Sequence, residues 1–510
     1  MKKIIILLMA VLFVMPMIFS CKDTGTDSKP GTNSNDGSEL VSEDDSDKSA
    51  YERFKYKDQK FNNVTVTILT KTGTSNADFS EIQYVYDEEF AANAINEAVK
   101  KRNDYIQENH GIIIKTISRE KPLENFKTEV ADELEYDIVS SSIDTLLVLG
   151  VEGYFYALND YVDLDDPWWD PSVKQMTVDG KKHMFLSGDG LITDKASLYL
   201  FLYNKDLYEK EISASMGSKS IYDIVRDGEW TMDKLLEIGA NFSTPDANGQ
   251  WNLDARYAYI TETYASTLMM NGAGIPLAEA SADGTIRTTI EDQKSIDVFD
   301  KIFNIMSNKQ FSIIAENMGF KYGSGWADGY AMVDKIWEES RGLFKTTTVA
   351  GITNHLDKDI PFTIGILPMP KYDEQQEDYY TCGNRYSLTC LGIPVAVEKE
   401  KIEAAAFAMN AMGFYNKALP DNVWDAYYHV TLKSQGSDKT DDENMLDIIF
   451  ENKITDIGSI FTWGMLLHLY TNSINGNETT NTSQSKWQAM KPAVEAAIED
   501  TIKSYKENVK

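Results

Sequence analysis

The chain has 510 residues, and 80 Asp and Glu against 49 Lys and Arg leave a formal charge of −31 at pH 7. That length holds two or three domains, and 42% apolar with 11% aromatic residues fits neither a wholly disordered chain nor a polytopic membrane protein. Scattered basic residues among so many carboxylates exclude nucleic acid as a partner, and five His with three Cys argue against a His/Cys metal enzyme.

The first element in chain order is an address. Lys2 and Lys3 precede the apolar run from Ile4 to Phe19, which Pro16 interrupts and which is shorter than the ~20 residues of a membrane-spanning helix. Residues 1–20 therefore read as an export signal. Ser20 directly before Cys21, with Ile18 upstream, resembles the bacterial lipobox, which implies lipidation of Cys21. From Lys22 to about Ala50 almost nothing is apolar, so residues 21–60 are expected to be the lipidated cysteine and a flexible tether. The folded part is then extracytoplasmic, anchored by lipid to the outer face of the cell membrane.

Val64 to Leu69 is β-branched and aliphatic and predicts a strand, with the turn-rich stretch Lys71 to Asn76 after it. Phe90, Ile95, Ala98, Val99 and Ile106 recur at helical spacing from about Asp87 to Glu108, with Gly111 as a stop. Gly111 to Ile117 and Tyr136 to Ser140 predict two more strands, and Leu146, Leu147 and Leu149 a helix. Strand, helix, strand, helix is the pattern of a parallel sheet flanked by helices. It returns with a strand at Leu198 to Tyr203, a helix at Met232 to Ala240 and a strand at Phe362 to Leu367. Ala404 to Met412 predicts a helix closed by Gly413, and Pro492 a helix start ahead of Val494, Ala497, Ile498, Ile502 and Tyr505.

Several of these stretches together resemble the family 1 extracellular solute-binding lipoproteins of ABC transporters, most of which carry sugars or oligosaccharides. Ala94 to Asn103 is similar to that family's first helix, with its closing Arg102-Asn103. Asp137-Ile-Val139 followed by Asp144 resembles the strand and loop that carry a ligand-contacting carboxylate, and Asp166-Pro-Trp-Trp-Asp170 a stretch of the larger gut members. Tyr203-Asn-Lys-Asp-Leu207, Ile366 to Lys371, Ile393-Pro394 and Asp441 to Ile449 follow in family order. The resemblance implies an α/β, two-lobe periplasmic-binding-protein-like fold of type II. Each lobe is a mostly parallel sheet flanked by helices, and crossover hinge strands join the two. Lobe 1 is expected at 61–197 plus 389–458, and lobe 2 at 198–388 plus 459–510. It further implies a carbohydrate ligand, ABC permease subunits as partners, a monomer, and, from the larger gut members, a Gram-positive source. Two departures stand out. Asp246 to Tyr257 replaces a loop that can hold calcium, but Trp251 and Tyr257 stand where such a loop needs Gly and Glu, so a polar turn is expected and no metal. Thr346 to Ala350 lacks the aromatic ring that many sugar-binding relatives carry there.

A sugar presents hydroxyls at its edge and C–H groups on its face, so its site combines carboxylates or amides with flat rings. Ligands of α/β proteins bind in loops beyond the carboxyl ends of strands. The candidates are therefore Thr72, Ser75, Ser141 and Asp144, with Trp326 and Trp463 as stacking rings. Turn chemistry is the alternative for Thr72 and Ser75, a helix cap for Asp144, and core packing for Trp463. Trp168 and Trp169 are expected to pin a loop. Cys382 and Cys390 flank Gly383-Asn384, and either a disulfide across a hairpin or two buried thiols fits. No nucleophile elbow, zinc-protease motif or phosphate loop occurs, so no cofactor and no catalytic residues are expected. The alternatives are a secreted, lipid-anchored glycoside hydrolase, since paired carboxylates meet only in space, and a glycan-capture surface lipoprotein.

Overall fold

The computed structural model describes residues 53–73, 79–90, 93–356, 360–432, 439–475 and 479–509. The signal, Cys21, nearly all of the tether and Ser75 lie outside the described residues. Two sheets organise residues 48–510. Their strands are β1 (Val64–Lys71), β2 (Ile112–Arg119), β3 (Ile138–Ser142), β4 (Tyr199–Asn204), β5 (Tyr257–Thr261), β6 (Ser312–Ile314), β7 (Gly342–Thr348), β8 (Ile364–Leu367) and β9 (Thr389–Gly392).

The first sheet runs β9-β3-β1-β2. β1 pairs parallel with β2 and β3, Ile68 standing opposite Thr116 and Ile138, and β9 joins β3 antiparallel. Alternation along the strands feeds two cores. Val66, Ile68 and Ile138 point into one, against the helix Lys399–Ala418, while Leu69 and Val139 point into the other, with Leu146 and Leu149 of the helix Ile143–Val151. The second sheet runs β8-β4-β7-β5-β6, antiparallel at β8-β4-β7 and parallel at β7-β5-β6. Residues 187–198 and 383–388 pass between the sheets and touch where Leu198 bridges Gly383 and Asn384 donates its N–H to the Ser197 carbonyl at 2.9 Å.

Local structure departs from the sequence expectation at identifiable places. The first helix is Ala94–His110, capped by the Asn93 side chain on the Ile95 N–H rather than starting near Asp87. Its Arg102 is wholly buried and donates to the carbonyls of Gln83 and Tyr84 and to Asn416. Gly413 does not stop a helix; it lies inside Lys399–Ala418, where a Cβ would meet the Trp168 ring at 2.5 Å. Pro492 likewise lies within the helix Ser483–Asn508, which buries Trp487, Val494 and Ile498 along one face; packing overrides the local breaker there. The helix Lys439–Glu451, grouped by sequence with the first lobe, instead packs against β8 of the second sheet. Its Asp442 is drawn there by Lys205 Nζ at 3.1 Å, the Tyr222 hydroxyl at 2.5 Å and the Ile366 N–H at 3.0 Å.

The disulfide alternative fails. Cys382 and Cys390 are free and buried: Cys382 pairs in a short ladder with Ile454, and Cys390 faces Met176, sulfur to sulfur at 3.7 Å. The Asp246 loop is a polar turn, its carboxylate accepting from the N–H groups of Asn248 and Gln250 and the Asn252 amide. No helix among the described residues is long and apolar enough to cross a membrane.

Candidate functional site

Parallel strands deliver their carboxyl ends to one edge of a sheet, and there the chain leaves a cavity of about 590 Å³. Thr70 and Lys71 of β1, Ser140 to Ser142 of β3 and Thr389 of β9 form its floor. Lys121 to Glu124 flank it, and Ser197, Tyr386 and Ser387 of the connecting segments close one side. Its chemistry is hydroxyl chemistry: beneath the surface Ser140 shares a 2.7 Å hydrogen bond with the Tyr84 hydroxyl, and Thr193 is bonded to Thr389 and donates its N–H to Gln83 Oε1 at 3.2 Å. Those inner hydroxyls are fixed by partners, which leaves Ser141, Ser142, Thr145 and Ser387 at the cavity wall.

A second cavity, about 340 Å³, opens at the corresponding edge of the second sheet. Thr261 ends β5 with Glu262 just beyond it, Lys345 to Thr348 end β7, and Tyr330, Asp334, His355 and Asn384 are among the other lining residues. The two cavities share the connecting segments, since Ser197 and Tyr386 line the first while Tyr199 and Asn384 line the second. They also share the start of the helix Val349–Leu356, with Ala350 in one and Gly351 in the other. They adjoin along these segments as a two-sided cleft.

The acidic groups of this cleft differ in their partners. Asp144 is held by Arg385 at 3.3 Å, Asp334 by Lys345, and Glu316 by the N–H and hydroxyl of Thr263 at 3.0 and 2.8 Å. Glu262 accepts only from the Tyr330 hydroxyl, at 2.8 Å, among the described residues. Burial, reinforced by the nearby Glu316 and opposed by that hydrogen bond and by the charge of Lys345, pushes its carboxyl up to about 6.

The sequence candidates scatter. Ser141 lines the first cavity. Thr72 is exposed in the loop beyond β1, its N–H donating to the Arg119 carbonyl, and is not in the lining. Asp144 does not cap its helix; it sits in the first turn after Ser142 and braces Arg385, which also donates to the Ser459 carbonyl. Trp326 is 58% exposed at the start of the helix Trp326–Glu338 and meets the lining residue Tyr330 edge to face at 6.1 Å, but is not itself in the lining of the second cavity. Trp463 is core: it stacks on Phe461 at 4.9 Å and donates to Thr501 at 2.8 Å. Trp168 is buried and anchored on Asn410 at 3.0 Å, pinning its loop to the helix Lys399–Ala418. Glu262 and Tyr330 escaped sequence reading. The strand formers Tyr257, Tyr259, Ile260 and Thr261 were the available signal, with Glu262 at their carboxyl end.

The helix pair that carries Tyr330 needs close backbone approach. A Cβ on Gly329 would overlap the Ala315 carbonyl and one on Gly319 the Gly325 carbonyl, so two glycines let Ala315–Tyr322 and Trp326–Glu338 touch. That contact holds Tyr330 over Glu262.

No family model matches the sequence, and no curated protein matches it. Solved structures do match. The cyclic alpha-maltosyl-1,6-maltose binding protein from Arthrobacter globiformis has a TM-score of 0.54 at 13% identity, covering 86% of this chain and 99% of its own. A cyclo/maltodextrin-binding protein complexed with maltotetraose has a TM-score of 0.51 at 13% identity, covering 88% and 98%. This is the solute-binding-protein fold. A family 1 extracellular solute-binding protein from Bifidobacterium longum subsp. infantis agrees, with a TM-score of 0.50 at 13% identity over 85% and 99% of the two chains. Within the solute-binding fold, the Tyr203 to Leu207 and Asp441 to Ile449 stretches meet each other through Lys205 and Asp442, so they serve architecture rather than the cleft.

Proposed function

We propose that the protein captures a carbohydrate, an oligosaccharide, in the cleft between its two sheets and delivers it to an ABC-type permease. The observation that carries this reading is the two-sided cleft lined by serine and threonine hydroxyls at the carboxyl ends of the strands, on a fold whose solved examples include a maltodextrin-binding protein with maltotetraose bound. Hydroxyl walls exchange hydrogen bonds with sugar hydroxyls in both directions, and Ser141 is a contact in this reading. Trp326, beside Tyr330, supplies an apolar face. Ser75 is a contact in the same reading, Thr72 and Asp144 join the cleft when closure of the lobes brings them in, and Trp463 acts through packing.

The same reading makes the chain a monomeric lipoprotein, tethered through Cys21 outside the cell, that binds without turnover. Lobe closure supplies the second half of the ligand contacts and creates the surface that a permease senses. A thermal-shift panel of linear and cyclic oligosaccharides, maltotetraose and cyclic alpha-maltosyl-1,6-maltose first, with peptides as controls, tests it. A ligand at 100 times its Kd adds about 2.7 kcal/mol of stability, and the sugar is expected back intact by mass. Recovery of cleaved sugar would replace capture by hydrolysis, and a shift with peptides alone would remove the carbohydrate.

A further inference from the structure

Among the described residues, Asp144 and Asp334 are paired with cations and Glu316 has two donors on Thr263, whereas the Glu262 carboxylate has a single hydrogen-bond donor. Its one donor is Tyr330, whose hydroxyl also lies 3.4 Å from Glu316, so a single phenol stands between two carboxylates. Lys345, the cation on the neighbouring strand, lines the same cavity and pairs with Asp334, so it acts on Glu262 through its field and not through a hydrogen bond. The remaining lone pairs of Glu262 therefore look into a cavity walled by Thr261 and Thr346 to Thr348. A carboxylate with unmet acceptor capacity in such a place is complementary to a pair of hydroxyl donors, and its desolvation is costly while none is present.

We propose that Glu262 is a specificity-determining residue of the cleft: its carboxylate accepts hydrogens from two neighbouring hydroxyls of a neutral oligosaccharide, and a proton on that carboxylate competes with the sugar, so that acid releases it. This rests on the carbohydrate reading above. The proton and the sugar hydroxyls compete because a protonated carboxyl offers one acceptor oxygen fewer and adds a donor against hydroxyls already held by the threonines. Tyr330 is the positioning residue, and Trp326, packed edge to face on Tyr330, covers the sugar.

The carboxyl at about 6 sets the size of the effect. If only the ionised form binds, about a tenth of the protein is competent at pH 5, and the apparent Kd rises about tenfold from its value at pH 7.5. The other groups around Glu262 are Tyr199, Tyr259, Tyr264 and Tyr330, all held above the usual phenol range by burial, together with Glu316, Asp334, Lys345 and His355. His355 is the member whose ordinary range overlaps this window, so it needs a control.

The experiment is calorimetric titration of the oligosaccharide panel, maltotetraose first, at pH 5.0 and 7.5 into the wild-type chain, Glu262→Gln and His355→Asn. The expected result is a tenfold weaker wild-type affinity at pH 5.0, the same pH dependence in His355→Asn, and at least tenfold weaker, pH-independent binding in Glu262→Gln. A wild type that binds sugar equally at both pH values overturns the proposal and leaves the carbohydrate reading standing. So does a pH dependence that vanishes in His355→Asn. Absence of binding to any sugar of the panel at either pH overturns both. Because the wild-type comparison needs no variant, poor folding of Glu262→Gln leaves the test intact.

Discussion

Asp442→Ala is expected to destabilise the protein by about 3–5 kcal/mol, the cost of stranding a buried charge, read as a fall in the urea midpoint at pH 7. Lys205 and Asp442 are 4% and 0% exposed, and the alanine removes at once the partner of Lys205 Nζ, of the Tyr222 hydroxyl and of the Ile366 N–H. Burial raises the Asp442 carboxyl above the ordinary carboxylate range in spite of Lys205. The sign follows: a raised carboxyl contributes stability that is present at low pH and lost as pH rises through its folded value, so the ionised pair is not itself a gain at pH 7. The double variant Lys205→Met/Asp442→Leu is therefore expected to recover most of the loss. A single variant that costs under 1 kcal/mol would show that the helix Lys439–Glu451 is held by its apolar face alone.

Lys453→Met carries a comparable cost, again about 3–5 kcal/mol, at a different place. Lys453 reaches Asp194 at 2.5 Å and Asp170 at 3.1 Å, and Lys195 reaches the same two carboxylates at 3.2 and 3.4 Å. Two cations and two anions thus balance in the interior, on the 192–196 helix of the connecting segment, the loop after Trp169 and the short strand Lys453–Ile454. Methionine leaves two carboxylates to one ammonium. Burial works against ionisation of Asp170, but Lys453 and then Lys195 outweigh it and hold the carboxyl well below the usual range. A depressed carboxyl stabilises above its unfolded value, about 3.9, and that contribution is lost as pH falls below it. The gap between wild type and Lys453→Met is therefore expected to narrow between pH 5 and pH 3 in urea unfolding. A gap that stays constant would assign the loss to packing rather than charge.

What the sequence disclosed follows from the range of the interactions involved. The strands at Val64 and Ile112 were legible because their burial is written in consecutive residues, and Ser141 because a strand's carboxyl end is a local feature. Asp144 was legible as a carboxylate at the right edge, but its partner Arg385, 241 residues on, was not. Trp463 stands among apolar neighbours and Trp326 in a glycine-rich polar stretch, and the structure follows that difference: Phe461 and Thr501 help bury the first, while the second stays 58% exposed. Gly413 and Pro492 read as helix ends because their propensities are local, whereas the Trp168 ring and the buried face of the last helix are not. Glu262 carries no motif at all. Its distinction is a single hydrogen-bond donor, Tyr330, and that appears only when β5, β7 and the helix Trp326–Glu338 are assembled.

The two unbonded cysteines turn this chain into its own unfolding clock. Burial raises the Cys382 thiol far above the ordinary range and pushes Cys390 up to about 12, so neither offers thiolate to an alkylating reagent while the fold is closed. Each covalent mark then records one excursion of its segment into solvent. Because Cys382 belongs to the small ladder with Ile454 and Cys390 to the first sheet beside Ser141, peptide-resolved labelling separates loosening at the connection from melting of a whole sheet, with no engineered probe.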